Sequence, residues 1–354
     1  MSLRARVEAR LPAAACKRAV VGFDGFIDTI ARPLRATAAA GQPAQPFETI
    51  ADFGAYLVGQ AGKSCSVALS IESRRLGGNL PYLSRAAGRL GLDVTCIGML
   101  GAPAVDPVFA DMPCRTRSYA PAGEATALEF RDGKVFLAAD VALPDDAWTL
   151  VTRAAPDAPA LLGTADLIAL VNWSELDFSH SLWEQTLTHA VEPTAADKSR
   201  FAFFDLCDCA RRSAEEIDRV LRLIGRFAAR RTAILSLNEN EALLCGARLL
   251  DGETDLARIS AGLRRTYGVD EILIHTVRET LLNTNIGLVR RPTLYVERPV
   301  ISTGAGDNFN AASCFAAVLG LAPEDRVAFA NQYAHDYISL GESPTLAEVL
   351  TQLG

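Results

Sequence analysis

The stretch Ser302-Thr303-Gly304-Ala305-Gly306-Asp307 leads into an alanine-rich helix pattern that continues through Asn308 and Phe309. Small residues at a helix start leave the first backbone N–H groups open to a ligand, and the helix dipole favours an anion there. A carboxylate in the first helical turn would lie beside that anion and could accept a proton from a hydroxyl. The pattern predicts a phosphate-binding turn with Asp307 as base. A helix-start acid after a glycine turn is the structural alternative.

Apolar strand patterns alternate with helix patterns on the N-terminal side of this turn. Strands are predicted at 18–23, 94–99, 167–171, 201–205, 232–237, 271–276 and, interrupted by a proline, 295–300. Helices are predicted at 80–90, 181–189, 214–229, 256–267, 307–319, 324–340 and 345–353. Short apolar strands separated by helices indicate βαβ units and a buried, mostly parallel sheet, which is an α/β fold.

Two regions depart from this alternation and are typical of a small additional sheet. Residues 66–74 alternate in part between apolar and polar, and Asp132-Gly133 lies between two alternating runs at 126–130 and 135–137. Asp-Gly in that setting is a strong hairpin signal. We expect lid segments at about 29–37, 64–75 and 113–139, inserted in one domain that spans residues 1–354. A decorative edge sheet is the alternative.

Three further groups of residues follow predicted strands or open predicted helices. Asn238 and Glu241 follow a strand at helical spacing, which suits a hydrated Mg²⁺ ion, a capping box, or both together. Asp24 and Asp28 follow the first strand, and paired carboxylates on a loop can hold sugar hydroxyls, with turn chemistry as the alternative. Gly77-Gly78-Asn79 opens a helix, where glycines permit close approach of a ligand and asparagine offers both a donor and an acceptor.

Composition limits the possible partners. The 354 residues carry a formal net charge of −7, which argues against nucleic acid or an anionic membrane as the main partner. No apolar run is long enough to suggest a transmembrane span. The eight cysteines form no CxxC pair, which is typical of reduced thiols in a cytoplasmic protein.

Taken in order along nearly the whole chain, these motifs resemble those of the PfkB or ribokinase-like carbohydrate kinase family. The resemblance implies a three-layer αβα, doubly wound domain with a β-sheet lid, and transfer of the γ-phosphoryl group of ATP, with Mg²⁺, to a hydroxyl of a sugar or nucleoside. It implies Asp307 as general base, and Gly304, Ala305 and Gly306 as an anion hole. It implies Asp24, Asp28, Gly78 and Asn79 at the acceptor site. On the nucleotide side it implies Asn238, Glu241, Thr276, Thr303 and Asn331, with Glu241 holding Mg²⁺ through water.

This sequence departs from the family pattern in four places. Ile301 replaces a frequent aspartate and argues against a monovalent-cation site. Tyr82 stands where the helix after the two glycines usually has an asparagine, so the sugar contacts can differ. Thr276-Val277-Arg278 replaces Thr-x-Gly, so a side chain could crowd the base pocket. Asp205-Leu206-Cys207 replaces a frequent Asp-Pro-Asn.

Several alternatives stay open from the sequence. The acceptor could be a nucleoside, and the protein could be an impaired kinase that binds or regulates. A nicotinamide-dependent oxidoreductase is disfavoured because Phe309 stands where GxGxxG needs its last glycine. Exposed edges of the lid could pair two copies into a homodimer.

Overall fold

The computed structural model describes residues 1–14, 16–36, 43–139, 141–143 and 146–353. The strands are β1 (Arg18–Phe23), β2 (Phe26–Ala36), β3 (Gln45–Pro46), β4 (Ala68–Gly77), β5 (Asp93–Gly98), β6 (Arg115–Ser118), β7 (Gly123–Phe130), β8 (Gly133–Ala138), β9 (Leu167–Leu170), β10 (Phe201–Asp205), β11 (Thr232–Asn238), β12 (Glu271–His275), β13 (Glu279–Thr284) and β14 (Gly287–Pro292). The helices are α1 (Leu3–Glu8), α2 (Leu11–Ala14), α3 (Ile50–Gly59), α4 (Asn79–Arg89), α5 (Ala147–Ala154), α6 (Ala158–Thr164), α7 (Ser179–Thr186), α8 (Ala214–Ala228), α9 (Glu239–Leu249), α10 (Leu256–Tyr267), α11 (Ala305–Val318), α12 (Pro323–Leu340) and α13 (Leu346–Gln352).

The main sheet has nine strands within the described ranges, in the order β14-β13-β12-β11-β10-β9-β1-β5-β6. The seven strands from β12 to β6 pair in parallel, and β13 and β14 continue the sheet as an antiparallel meander. The chain builds outward from β1 in one direction and from β9 in the other. The boundary between β1 and β9 is therefore the topological switch point, where ligands bind in open α/β sheets.

Both faces of the main sheet are buried, as the apolar strand patterns predict. In β9, Ile168 and Leu170 pack into one hydrophobic cluster, and Leu167 and Ala169 pack into the other. The first cluster includes residues of α5 to α10, and the second includes residues of α4, α11, α12 and α13. Two helical layers thus enclose the sheet, in agreement with the three-layer architecture that the resemblance implies.

A second sheet forms the lid, with the order β3-β2-β7-β8 and with β4 paired to β2. The prediction of three lid segments needs correction. Strand β6 (Arg115–Ser118), placed in the lid by the prediction, pairs with β5 in the main sheet, so the third segment contributes only β7 and β8. The first segment begins earlier, at Phe26, and its predicted last residue, 37, lies outside the described residues.

The remaining predicted elements agree with the structure to within a few residues, except one. The predicted strand at 295–300 is wrong, because these residues form an irregular segment without a ladder partner in the described chain. The backbone N–H of Val300 donates instead to the carbonyl of Ile338 near the end of α12. Within the described ranges, no helix combines the length and the hydropathy needed to cross a bilayer.

Candidate active site

The candidate site lies along the carboxyl edge of the parallel strands. Asp24 follows β1 and Asn172 follows β9, while Asp205, Asn238 and His275 are the last residues of β10, β11 and β12. Parallel strands bring their carboxyl ends to one edge, so side chains distant in sequence meet there. Three helices, α4, α9 and α11, begin at this edge.

The first turn of α11 presents unpaired backbone donors. Gly304 is the N-cap with φ 81, a left-handed conformation that side chains rarely adopt. The N–H groups of Gly306 and Asp307 have no hydrogen-bond partner in the described part of the chain. Tyr82 and Tyr337 wall the turn closely, and the hydroxyl of Tyr337 donates to the carbonyl of Thr303 at 2.7 Å. This turn has the form of an anion site.

Asp307 is the third residue of α11, and its side chain is buried beside that turn. The amide of Asn79 donates to Oδ1 of Asp307 at 2.9 Å. Burial, followed by the charges of Asp205 and Asp24, raises the pKa of Asp307 well above its usual value, and the Asn79 hydrogen bond lowers it. A carboxylate with a raised pKa is a stronger proton acceptor once it is ionised, so the environment suits a general base.

Two further carboxyl groups lie near Asp307. Glu241 Oε2 accepts from the N–H of Asn238, and Asn238 Oδ1 accepts from the N–H of Glu241, so the predicted capping box is confirmed. Asp205 accepts from the amide of Asn310 at 2.7 Å. Burial raises the pKa of Asp205 to about 6, and burial with the charge of Asp205 raises the pKa of Glu241 well above its usual value.

The Asp205, Glu241 and Asp307 carboxyl groups form an acidic group. No basic side chain among the described residues contributes to their pKa shifts. The described residues also contain no cluster of three or more His, Cys, Asp or Glu side chains arranged to ligate a metal directly. Such a group can attract a hydrated divalent cation, because Mg²⁺ usually keeps several of its waters.

The lid contributes a further carboxylate to the site. Asp28 lies on β2, opposite Arg75 of β4, and its carboxylate approaches Gly77. Burial raises the pKa of Asp28 to about 6, against the lowering by Arg75 and Lys134. Burial also raises the pKa of Tyr82 to about 12, and the charges of both Asp28 and Asp307 add to that shift. Tyr82 therefore lies within electrostatic reach of the lid carboxylate and of Asp307.

Asp24 is placed differently from Asp28. Its carboxylate is fully buried and accepts from the N–H groups of Asn79 and Leu80, at 2.8 and 2.9 Å, and from the amide of Asn172 at 2.8 Å. Gly78 is the N-cap of α4 with φ 84, and a side chain there would meet the Asp24 carboxylate. Asp24 thus anchors the start of α4, and its predicted contact with an acceptor stays a prediction.

A cavity of about 690 Å³ opens beside the first turn of α11. Among the predicted nucleotide-side residues, Asn238, Thr276 and Asn331 line it, together with His275 and Gly306. Glu241 and Thr303 are not part of the lining. The departure from Thr-x-Gly does not obstruct the cavity: Val277 contributes to the lining, while the exposed Arg278 does not.

Comparison with known proteins fixes the family. Residues 3–353 match the family model described as prokaryotic ketohexokinase. The chain belongs to this family.

The family assignment agrees with further likenesses. A ketohexokinase of Haloferax volcanii is 27% identical over 347 residues, which cover 94% of this chain and 89% of that protein. A ribokinase of Arabidopsis thaliana solved with ribose and ATP has a TM-score of 0.63 and 18% identity, covering 95% of this chain and 97% of that one. A putative ribokinase II of E. coli solved with ATP and Mg²⁺ has a TM-score of 0.62 and 16% identity, and the match covers 95% of this chain and 98% of that one. The two solved structures support the fold.

As a member of the ketohexokinase family, the protein is a carbohydrate kinase of the PfkB type, a phosphotransferase with an alcohol acceptor. The predicted resemblance to PfkB and ribokinase-like kinases is confirmed, as is the predicted fold class.

Several residues that the structure brings to the site of this family member are not indicated by the sequence motifs described above. Asn310 lies three residues after Asp307 on α11, so helical spacing could have indicated it. Asn172 and His275 follow or end a predicted strand, and the strand-end argument used for Asn238 would have included them. Tyr337 carries no comparable signal, because its position depends on how α12 packs against α11.

Proposed function

We propose that the protein transfers the γ-phosphoryl group of ATP to a hydroxyl of a ketohexose. The observation that carries this proposal is the position of Asp307. Its buried carboxylate adjoins free backbone N–H groups on one side and, through Asn79 and Tyr82, the lid on the other. A base between an anion site and an acceptor site is the arrangement that phosphoryl transfer needs.

The acceptor side consists of Asp28, Gly78 and Asn79. Asp28 offers a buried carboxylate to sugar hydroxyls, and Asn79 already contacts Asp307. Asp24 supports this side through its bonds to the start of α4. The choice of a ketohexose rests on the family description and on the Haloferax volcanii relative, which is named a ketohexokinase.

The nucleotide side is the 690 Å³ cavity together with the anion turn. In this proposal the base and ribose of ATP occupy the cavity, near Thr276 and Asn331. The phosphates extend past Asn238 toward Gly304, Ala305 and Gly306. Thr303 supports the turn through its carbonyl, which accepts from Tyr337. Two relatives of the same fold are solved with ATP.

The acidic group fits Mg²⁺ held through water. Its oxygen ligands and uncompensated charge suit a hard, hydrated cation, and Glu241 and Asp205 would hold that water shell. When bound, Mg²⁺ neutralises phosphate charge during transfer. The side chain of Ile301, in place of an aspartate carboxylate, offers no ligand for a monovalent cation.

In the proposed reaction, Asp307 Oδ2 accepts the proton of the attacking hydroxyl, while Oδ1 stays bonded to Asn79. The acceptor oxygen forms a bond to the γ-phosphorus as the bond from phosphorus to the β,γ-bridging oxygen breaks. ADP leaves with the electrons of that bond, and the N–H groups of Gly306 and Asp307 stabilise charge on the transferring group.

An acceptor screen tests the proposal directly. We expect ADP formation from ATP and Mg²⁺ with D-fructose, and kcat/KM at least about tenfold higher than with aldohexoses, ribose or adenosine. A factor of ten corresponds to about 1.4 kcal/mol of differential transition-state binding. Preference for adenosine would establish the nucleoside kinase alternative. No turnover with any acceptor, despite ATP binding by calorimetry, would establish the binding-protein alternative.

The edges of the lid support a second proposal, a homodimer. Strand β4 pairs only with β2 among the described strands, and it exposes Leu69 and Ile71 on alternate residues. On the other edge, β8 exposes Phe136 and Leu137. Exposed apolar edge strands are templates for pairing, and a second copy of this chain offers the same edges in twofold symmetry.

Replacing Ile71 by Lys is expected to shift the protein from dimer to monomer in light scattering. Burying one isoleucine side chain is worth about 1.5–3 kcal/mol, and the substitution occurs twice in a dimer, so the dissociation constant should rise roughly 10²-fold or more. Ile286→Lys is the matched control, because Ile286 is exposed on the turn between β13 and β14, on the main sheet. A monomeric wild-type protein at micromolar concentration would contradict the dimer.

A further inference from the structure

A series of hydrogen bonds runs from Asn172 through Asp24 and Asn79 to Asp307. Asn172 donates to Asp24 Oδ2, Asp24 accepts from the backbone N–H of Asn79, and the side chain of Asn79 donates to Asp307 Oδ1. Each of these donor–acceptor distances is 2.8 or 2.9 Å. Residues that follow β9 and β1 are thus joined to residues of α4 and α11 in one hydrogen-bonded series across the switch point.

Both the backbone and the side chain of Asn172 adopt unfavourable arrangements. Its φ of 59 lies in the left-handed region, which asparagine tolerates better than most residues. Its side chain is buried, and its Oδ1 atom has no hydrogen-bond partner among the described residues. A buried, unpaired carbonyl is unfavourable, so the conformation is maintained by the bond that the amide makes to Asp24.

Asp24 sets the direction of the first turn of α4. Its two oxygens accept from the N–H groups of Asn79 and Leu80, which no earlier residue of the helix can bond. The left-handed Gly78 brings these N–H groups against the carboxylate. A shift of Asp24 would therefore turn the start of α4 and move the Asn79 side chain.

We infer that Asn172 and Asp24 are positioning residues for phosphoryl transfer: they fix the first turn of α4 so that the Asn79 amide orients the Asp307 carboxylate with Oδ2 toward the acceptor hydroxyl. This inference rests on the proposed role of Asp307 as the base. It assigns Asp24 an indirect role in place of sugar binding. No donor among the described residues contacts Oδ2 of Asp307, so that oxygen is available to the hydroxyl proton.

The orientation of Asp307 can be read from the pH dependence of turnover. The titratable and charged groups around it come from every neighbouring element: Asp24 just after β1, Asp28 of β2, Arg75 of β4, Tyr82 of α4, Asp205 of β10, Glu241 of α9, His275 of β12 and Tyr337 of α12. Against these, the Asn79 amide lowers the pKa of Asp307. Loosening Asn79 should therefore raise that pKa and move the acidic limb of kcat to higher pH.

The test is Asn172→Gly, which removes the amide and accepts the same positive φ. We expect kcat with the best acceptor to fall about 10-fold to 100-fold, because a misplacement of about 1 Å can cost that much. We also expect an acidic limb at higher pH, and an acceptor KM within about twofold of the wild type. The backbone amides at 78–80 should exchange with deuterium about tenfold faster.

Asn283→Ala is the matched control, because Asn283 is another buried asparagine whose amide donates to a side chain, Ser260 Oγ at 2.9 Å, away from the site. It should lower Tm and leave kcat and the acidic limb unchanged. If Asn172→Gly does not fold, Asn172→Ser replaces it in the same measurements. Its shorter hydroxyl cannot span the distance that the amide spans to Asp24, so kcat, the acidic limb and amide exchange should change in the same direction as expected for Asn172→Gly.

Three outcomes would overturn the inference. The first is an Asn172→Gly enzyme with normal kcat, normal acidic limb and normal amide exchange at 78–80. The second is a raised acceptor KM with an unmoved limb, which would make Asn172 a direct sugar ligand. The third is an effect of equal size in Asn283→Ala. A fully active Asp307→Asn enzyme would instead refute the proposed base, and hydrogen exchange would still decide whether Asn172 and Asp24 anchor α4.

Discussion

Replacing Asp307 by Asn should lower kcat roughly 10²-fold to 10⁴-fold, which is the usual contribution of a general base. The amide is nearly isosteric with the carboxylate, and its oxygen can still accept from Asn79. It cannot take the hydroxyl proton. Because the substitution also removes a buried charge with a raised pKa, Tm should stay the same or rise. Steady-state kinetics and thermal denaturation of the same preparation measure both effects.

The pH dependence of kcat/KM provides a second test of Asp307 as the base. Asp307 must be ionised to accept a proton, so kcat/KM of the wild-type enzyme should rise as pH rises through the pKa of that carboxyl group. Burial and the neighbouring Asp205 raise this pKa, so the acidic limb should lie at higher pH than for a surface aspartate. The residual activity of Asp307→Asn should lack that limb.

Asp325→Asn provides the matched control. Asp325 also lies in the first turn of a helix, α12, where it bonds Arg6 instead of facing the site. Its loss should reduce stability slightly and leave turnover unchanged. Turnover within about threefold of wild type in Asp307→Asn, with the acidic limb intact, would rule out Asp307 as the base.

Gly304→Ala should reduce kcat about 10²-fold to 10³-fold, comparable to removing an oxyanion donor. A Cβ at Gly304 would lie 2.7 Å from Cδ1 of Tyr82 and 2.9 Å from the Tyr337 hydroxyl, and φ is 81. The turn must therefore shift, which redirects the N–H groups of Gly306 and Asp307. We expect the largest effect in kcat, since charge on the transferring phosphoryl group develops in the transition state.

Gly268→Ala separates backbone strain from this clash. Gly268 is the left-handed cap that ends α10 with φ 68, and a Cβ there meets no atom within 4 Å. The substitution should cost about 1–2 kcal/mol of stability, from the left-handed conformation alone. Its kcat should equal that of the wild type. Equal kinetic effects in the two variants would mean that the Gly304 effect arises from general destabilisation.

The fold could be predicted largely because its signals are local. Strands β1 and β10 and helix α10 agree with the prediction to the residue, since each is a strong apolar pattern bounded by polar residues. The segment at 295–300 has a similar pattern, and it fails as a strand because its pairing depends on neighbours that the sequence does not specify. In the same way, β6 belongs to the main sheet and not to the lid because it pairs with β5, and the sequence does not specify that pairing.

The site residues could be predicted where they are contiguous in sequence, and not where they depend on distant contacts. Asp307 and the glycines before it are contiguous, so one short motif indicates their chemistry. Asp24 was assigned to the acceptor from its residue type and its place after a strand, but hydrogen bonds to α4 and Asn172 determine what its oxygens contact. Those contacts join positions 24 and 172, and residue spacing in a single sequence cannot indicate a contact between positions so far apart.

The lid joins the site at two ends of its strands, the start of β2 and the end of β4, which we call its roots. Strand β2 begins two residues after Asp24, and β4 ends one residue before Gly78. The Asp24 carboxylate fastens the first root to the second, through the N–H groups that follow Gly78. We expect a movement of the lid at these two ends to be transmitted through Asp24 to the neighbouring Asn79, whose amide bonds Asp307. Closure of the lid over an acceptor should therefore also align the proposed base, and a sugar that does not close the lid should leave Asp307 misaligned.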